Sequence, residues 1–237
     1  MLNDDISKIL NTWPYEAGRL NVRIVEAEDG RELLQLRIEL GMIQMEMSGR
    51  PDGLSQEGFP SLLALFDERG THSGLEPDTC RRLREEGVQR SHRSAALFAM
   101  SRWEETIRDC NENLELFDLC KYHANDEQDR RALEQFRGAV IALRARAAAE
   151  WAVEKDNISM AMSTLDQGLE ELRVALGDDW EQSNETHLLR GMKEALVPKL
   201  PTSERADLRE RLANAIENEN YELAAILRDE IRLLRDG

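Results

Sequence analysis

The segment Leu212-Ala213-Asn214-Ala215-Ile216-Glu217-Asn218-Glu219-Asn220-Tyr221-Glu222-Leu223-Ala224-Ala225-Ile226-Leu227-Arg228-Asp229-Glu230-Ile231 carries the most specific signal in the chain. Leading into it, Leu208, Leu212, Ala215 and Ile216 recur at i, i+4, i+7 and i+8, the stripe of an amphipathic helix. Asn218-Glu219-Asn220 is a turn signal, and Asn220 is placed to cap a second helix lined by Leu223, Ile226, Leu227, Ile231 and Leu234. Ala224 and Ala225 are small enough to let two helices approach closely. Glu204, Asp207 and Glu222 lie near N-termini and Arg228, Arg232 and Arg235 near C-termini, the placement the helix dipole favours. Pro198 and Pro201 fence the segment off, and Thr202 or Ser203 supplies a cap oxygen. The pattern predicts a helical hairpin over residues 202–237. A two-helix unit of this size buries too little apolar surface to offset its ordering entropy. It therefore needs a companion surface, whether its own body, a second copy or a foreign partner.

Outward toward the N-terminus, the signals from about residue 57 to 197 are helical. Leu62, Leu63, Leu65 and Phe66 form a short apolar segment ending at Gly70. Pro77-Asp78 opens a longer helix expected to reach about Met100, with an interruption near Gly87. Trp103, Ile107, Leu114 and Phe117 mark the next helix, and Asn125 or Asp126 is placed to cap a long one through Leu133, Phe136, Val140 and Leu143 to Trp151. Lys155-Asp156-Asn157 breaks it, and Ile158, Met162, Leu165, Leu169 and Leu172 line a further helix to Gly177. The stretches after Ser101 and after Lys155 look alike: a short polar turn following small residues, then an amphipathic helix. They resemble the second half of a tetratricopeptide repeat, at a spacing longer than that family's. An ordinary antiparallel bundle is the alternative.

Residues 1–56 read differently. Leu20, Val22 and Ile24 alternate with Asn21, Arg23 and Val25 in a mostly period-two pattern, Asp29-Gly30 suits a type I′ turn, and Leu34, Leu36, Ile38 and Leu40 alternate cleanly. At Gly41 the phase changes to Ile43, Met45 and Met47, which predicts a bulge or bend there. Ser48-Gly49-Arg50-Pro51-Asp52-Gly53 then breaks the pattern. A β-hairpin is the expectation, with a helix over 31–47 as the alternative. The fold class predicted is mainly α: an antiparallel helical bundle with degenerate tetratricopeptide-like pairs, a small N-terminal β-hairpin element and a C-terminal helical hairpin.

Composition narrows the functional classes. The 237 residues include 31 Lys+Arg and 47 Asp+Glu, a net charge of −16, which opposes binding nucleic acid or anionic membranes by clustered positive charge. No run approaches the roughly 18 apolar residues of a membrane span. The start, with Asp4 and Asp5, lacks the basic and apolar regions of a secretory signal, and three cysteines at unmatched spacings read as reduced thiols. A cytoplasmic location is expected.

The residues of the C-terminal segment resemble the UVR motif, which occurs in the excision-repair proteins UvrB and UvrC and in McsA-type adaptors. Ala215, Glu219, Tyr221, Glu222, Ala224, Ala225, Leu227, Arg228 and Asp229 fall on the family pattern. The chain as a whole resembles bacterial proteins that carry a terminal UVR motif and a segment like Leu34–Gly53 near the start. The Gly-Lys-Thr/Ser phosphate loop of UvrB and the paired Cys-x-x-Cys sites of McsA-type adaptors are absent from the sequence. The resemblance implies a protein-contact module without enzymatic activity, and the residues expected to make the contact are Leu208, Leu212, Ala215, Ile216, Tyr221, Leu223, Ala224, Leu227, Arg228 and Ile231.

Other chemistry reads weakly. Cys120-x-x-His123 lacks a second ligand pair for zinc. Glu112, Glu115 and Asp118 read as a solvated acidic face, and Trp103 and Trp151 as core anchors. Arg81, Arg82, Arg84, Arg90 and Arg93, interrupted by Glu85 and Glu86, read as a salt-bridged helix and not a nucleic-acid surface. No catalytic residue, metal or cofactor is expected. The function expected is a non-enzymatic adaptor or scaffold that contacts a protein, or a second copy, through the hairpin and a helical groove. The alternative is an accessory factor of DNA excision repair that binds a repair protein.

Overall fold

Alternating apolar residues in the first fifty positions build a three-stranded antiparallel sheet, ordered β1 (Asn21–Glu26), β2 (Glu32–Ile38) and β3 (Gly41–Glu46), in the computed structural model. The structure describes residues 6–70, 74–199, 202–218 and 220–233. The phase change at Gly41 is neither bulge nor bend. It is the start of a third strand, reached through a two-residue turn at Glu39-Leu40 that pairs Ile38 with Gly41. The first turn also differs from a type I′ pair. Gly30 has φ +83 while Asp29 does not enter the left-handed region. Gly30 N–H donates to Ala27 O and Ala27 N–H to Arg31 O, which makes a longer loop closed by glycine. The Arg31 guanidinium holds the Asp29 carboxyl below its usual range.

β2 is buried on both faces. Leu34 and Leu36 join Met45 against Ala96 and Leu97 of α3 (Pro77–Ala99), where Leu34, Ala96 and Leu97 are fully enclosed. The opposite face carries a polar ladder: Arg23 Nε donates to Gln35 Oε1 and Gln35 Nε2 to Gln44 Oε1, each at 2.8 Å. Residues ahead of the sheet, α1 (Ser7–Thr12) and Trp13, were not legible as an element. Trp13 stacks on Arg23, 4.1 Å from guanidinium to ring centroid, and its carbonyl accepts from Arg37 Nε.

Ser61 caps α2 (Leu62–Arg69), its hydroxyl accepting from Ala64 N–H. α3 runs through Gly87 without a break, so the predicted interruption is absent. Its lost side chain brings α4 (Trp103–His123) close, where an added Cβ would meet Leu116 at 3.5 Å. The two helices are also joined by charge. Arg93 and Asp109, both fully buried, form a bidentate pair at 2.6 and 2.9 Å, and Arg93 also donates to the Glu46 carbonyl. Buried Glu86 accepts from Leu62 N–H and from Arg90, whose Nε lies 2.9 Å from Glu112 Oε2.

The arginines of α3 thus behave as the sequence suggested, Arg81 pairing with Asp78 and Glu85, Arg82 with Gln56, and Arg84 with Asp129. The acidic face of α4 is open at Glu115, which is exposed, and at Asp118, which is half exposed, while Glu112 is more enclosed and meets Arg90. Asp118 also meets Arg137, and partial desolvation with the nearby Asp67 and Glu112 carboxylates pushes the Glu115 carboxyl up.

The long helix predicted from Asn125 or Asp126 is divided. Asp126 caps only a short α5 (Glu127–Arg131), a 3₁₀ turn follows at Glu134–Phe136, and α6 spans Arg137–Glu154. Asn157 caps α7 (Ile158–Leu176), accepting from Met160 N–H, and Ser183 caps α8 (Asn184–Leu196), a helix the sequence pattern did not delimit. At Gly168 of α7 an added Cβ would lie 2.5 Å from Ala145 Cβ and 3.1 Å from Leu189, so α6, α7 and α8 converge on that glycine. α9 (Thr202–Glu217) and α10 (Tyr221–Leu233) follow.

The chain divides into two compact units, Met1–Leu143 and Arg144–Gly237. The first holds the sheet and a core around Leu62, Leu83, Leu116, Phe117 and the thiols Cys80, Cys110 and Cys120. The second holds α7 to α10 with the end of α6. Each contains one of the two look-alike turns, and their backbones match. Ser101 and Asp156 sit at φ +57 and +54; Arg102 N–H donates to Leu97 O and Asn157 N–H to Ala152 O, while Ser101 bonds Phe98 O and Asp156 bonds Val153 O. Both are helix ends closed by a left-handed residue with paired back-bonds.

Candidate protein-interaction site

α9 and α10 pack as the hairpin read from the sequence. Asn218 N–H donates to Asn214 O and Asn220 N–H to Ala215 O, closing α9, and Asn220 Oδ1 accepts from Leu223 N–H, capping α10. The Thr202 or Ser203 cap and the assignments of Pro201, Glu204, Glu219, Leu234 and Arg235 fall outside the described side chains.

The ten candidate contact residues separate by burial into three sets. Leu208, Ala215, Ala224 and Leu227 form the inner seam, Leu227 being only 2% exposed. The alanines are small where the helices approach, and the two leucines also line the groove shared with α7 and α8. Leu212 and Ile231 are half-buried. Ile216, Tyr221 and Leu223 remain exposed, at 54%, 68% and 37%, and Ile226, at 53%, joins them. Ile226 was read as a lining residue of α10 but not as a contact. Its i+3 relation to Leu223 was the available signal. Arg228 is exposed and donates to Asp229.

Among the described residues of the second unit, Lys193 ties the hairpin to its neighbouring helices by charge. Lys193 of α8 places Nζ 2.8 Å from Asp166 of α7 and 2.6 Å from Glu230 of α10. Burial works against its charge, but the two carboxylates outweigh that and raise the ammonium pKa. Beside this tie lies a groove of about 570 Å³, with Met162, Leu208, Leu223 and Leu227 supplying apolar surface and Asp207 and Arg211 polar surface. An open groove therefore lies next to this ion-pair tie. Its chemistry is that of a contact surface: apolar atoms framed by charges of both signs.

Among the described residues, no three His, Cys, Asp or Glu groups converge as metal ligands, and no helix is long and apolar enough to cross a membrane. Cys120 faces Cys80 in the core of the first unit, where burial pushes its thiol up to about 12. Trp103 packs edge-on against Phe98, and Trp151 lies under Lys155; both rings are half-buried, less enclosed than core anchors.

Residues 202–237 match the family model described as the UvrB/uvrC motif. That motif mediates protein–protein interaction. No curated protein and no solved structure matches the chain. The class defined by the fold and the site is therefore a mainly helical protein with a small antiparallel sheet and a terminal UVR hairpin.

Proposed function

We propose that the chain is a non-enzymatic adaptor or scaffold, acting in the cytoplasm, whose C-terminal hairpin binds a protein partner or a second copy. The observation that carries this reading is the split within the motif. Its inner seam is satisfied, while Ile216, Tyr221, Leu223 and Ile226 stay open to solvent at the turn end. Burying four such side chains supplies the kind of apolar anchor that dominates interface energetics. The groove beside Lys193 extends the same surface, and the matching turns at Ser101 and Asp156 favour the repeat-like reading of the helical pairs.

The test compares the full chain, a chain ending at residue 201, and the double variant Tyr221→Ala/Ile226→Asp. Sedimentation across a concentration series and capture of a partner from lysate are the readouts. The full chain should associate, and both altered chains should lose association. The double variant leaves the seam intact, so retained binding in it would sink the proposal.

A second reading, an accessory factor of excision repair that binds a repair protein, is favoured by the motif match alone. It requires direct capture of a UvrB- or UvrC-type protein by the full chain and no capture by the double variant.

A further inference from the structure

We infer that the outer edge of β1 is a docking site for an extended peptide bearing a bulky apolar side chain. The site belongs to the first unit and is independent of the C-terminal hairpin.

The register decides which backbone groups are available. Ala27 N–H donates to Arg31 O, and the β1–β2 pairing continues through Val25/Leu33, Arg23/Gln35 and Asn21/Arg37. Antiparallel pairing alternates, so these residues turn their backbone groups toward β2, while Val22, Ile24 and Glu26 turn theirs outward. Among the described residues none of these outward groups has a backbone partner. A row of open donors and acceptors is what strand addition uses.

Beside the edge lies a groove of about 620 Å³ whose walls come from separate elements: Trp13, Leu20 and Val22 on one side, Phe98 and Met100 at the end of α3 on the other. Its geometry is set in advance. Trp13 is held from both ends, its ring on Arg23 and its carbonyl on Arg37. Asn21 is buried and exchanges hydrogen bonds with Glu16 while donating to the Arg19 carbonyl, which fixes the approach to the strand. Leu20, half exposed at 51%, is the open lip. A preformed aromatic recess next to unpaired strand edge fits main-chain pairing for affinity and one large apolar side chain for specificity.

A second copy of the chain fits less well. Pairing the whole of β1 with its twin about Ile24 puts Glu26 opposite Val22 and Glu28 opposite Leu20, carboxylates against the apolar wall. A foreign strand with an aromatic or large aliphatic residue there carries no such penalty.

The probe is a displayed library of random peptides, panned on the full-length protein. Selected sequences should share one bulky apolar residue within a β-forming stretch. Binding should slow amide exchange at Val22, Ile24 and Glu26 and leave Arg23 and Val25, already paired with β2, unchanged. Ala99→Trp, at an exposed position of the groove, should weaken capture at least about tenfold, equivalent to ~1.4 kcal/mol. Glu26→Pro removes an outward N–H that the ladder does not use and should weaken it too. Three results overturn the inference: no peptide enriched over the Ala99→Trp protein, selected peptides that protect amides elsewhere, or protection of Val22, Ile24 and Glu26 by rising protein concentration alone. The last would assign the edge to a second copy.

Discussion

Two helical hairpins in this protein are held by opposite means. α3 and α4 are locked through buried charge: Arg93 meets Asp109 in a place closed to water, and Arg90, held on its own helix by Glu86, reaches Glu112 of α4. α9 and α10 are closed by a short apolar seam of alanines and leucines, and their turn end keeps large apolar side chains in solvent. Buried ion pairs add little net stability, because desolvation cancels much of the attraction, but they punish any other arrangement heavily. An alanine–leucine seam is forgiving and leaves its rim free. The first hairpin is therefore built for a single geometry, and the second is left with surface to give to another molecule.

The harshest way to break that contrast is Asp109→Ala. Removing the carboxylate strands the Arg93 guanidinium, fully buried, beside the end of β3. A loss of about 3–5 kcal/mol is expected for an uncompensated buried charge. Urea unfolding should show it as a lowered midpoint, and Asp109→Asn, which retains an acceptor, should lose less. A variant as stable as the parent would mean that the pair contributes no specificity.

The same core should weaken in alkali. Cys120 is enclosed, and burial first, with the neighbouring Cys80 thiol, pushes its pKa from 9.0 to about 12. The folded chain holds that proton more tightly than the unfolded chain, so the contribution is intact below about pH 9 and is lost as pH rises toward 12. Three pKa units set an upper bound of about 4 kcal/mol. Unfolding midpoints should fall across that window in the parent and fall less in Cys120→Ala. Thiol reagents at neutral pH should leave Cys120 unmodified until the chain unfolds.

Leu227→Ala probes the other hairpin. At 2% exposure Leu227 is the tightest part of the seam, and its truncation should cost about 2–3 kcal/mol. Because the seam is local, faster amide exchange should appear in α9 and α10 while α3 and α4 keep their protection. Equal loosening of both would erase the distinction drawn between them.

Legibility in the sequence followed the range of the forces involved. Helices bounded by local chemistry were readable: Gly70 at the end of α2, Pro77 at the start of α3, and Asn220 in the terminal turn all act within a few residues of where they stand. Features set by distant packing were not. Gly87 reads as a helix breaker in isolation, but the approach of α4 to within contact of its missing side chain keeps α3 continuous. The alternation that changes at Gly41 is ambiguous between a bulge and a tight turn, because only the partner register distinguishes them. At the candidate site, the periodicity of α10 marked its apolar residues but not which would face α9. The sequence list therefore mixed seam residues such as Leu227 with exposed ones such as Tyr221, and missed Ile226.

The smallest effect tests whether the two turns at Ser101 and Asp156 are equivalent. Both hold a non-glycine residue in the left-handed region, where a Cβ crowds the following carbonyl, and both side chains are exposed. Glycine would relieve that crowding, offset in part by the greater freedom it gives the unfolded chain. A net gain of roughly 0.5–1 kcal/mol is expected at Ser101. The gain should be smaller at Asp156, since aspartate tolerates this conformation better than serine does. Melting temperatures of Ser101→Gly, Asp156→Gly and the double variant give the answer, with additive gains because the two sites share no partner. Opposite signs would show that only one turn is strained, and the likeness between the two helix junctions would then be one of backbone outline without a common energetic cause.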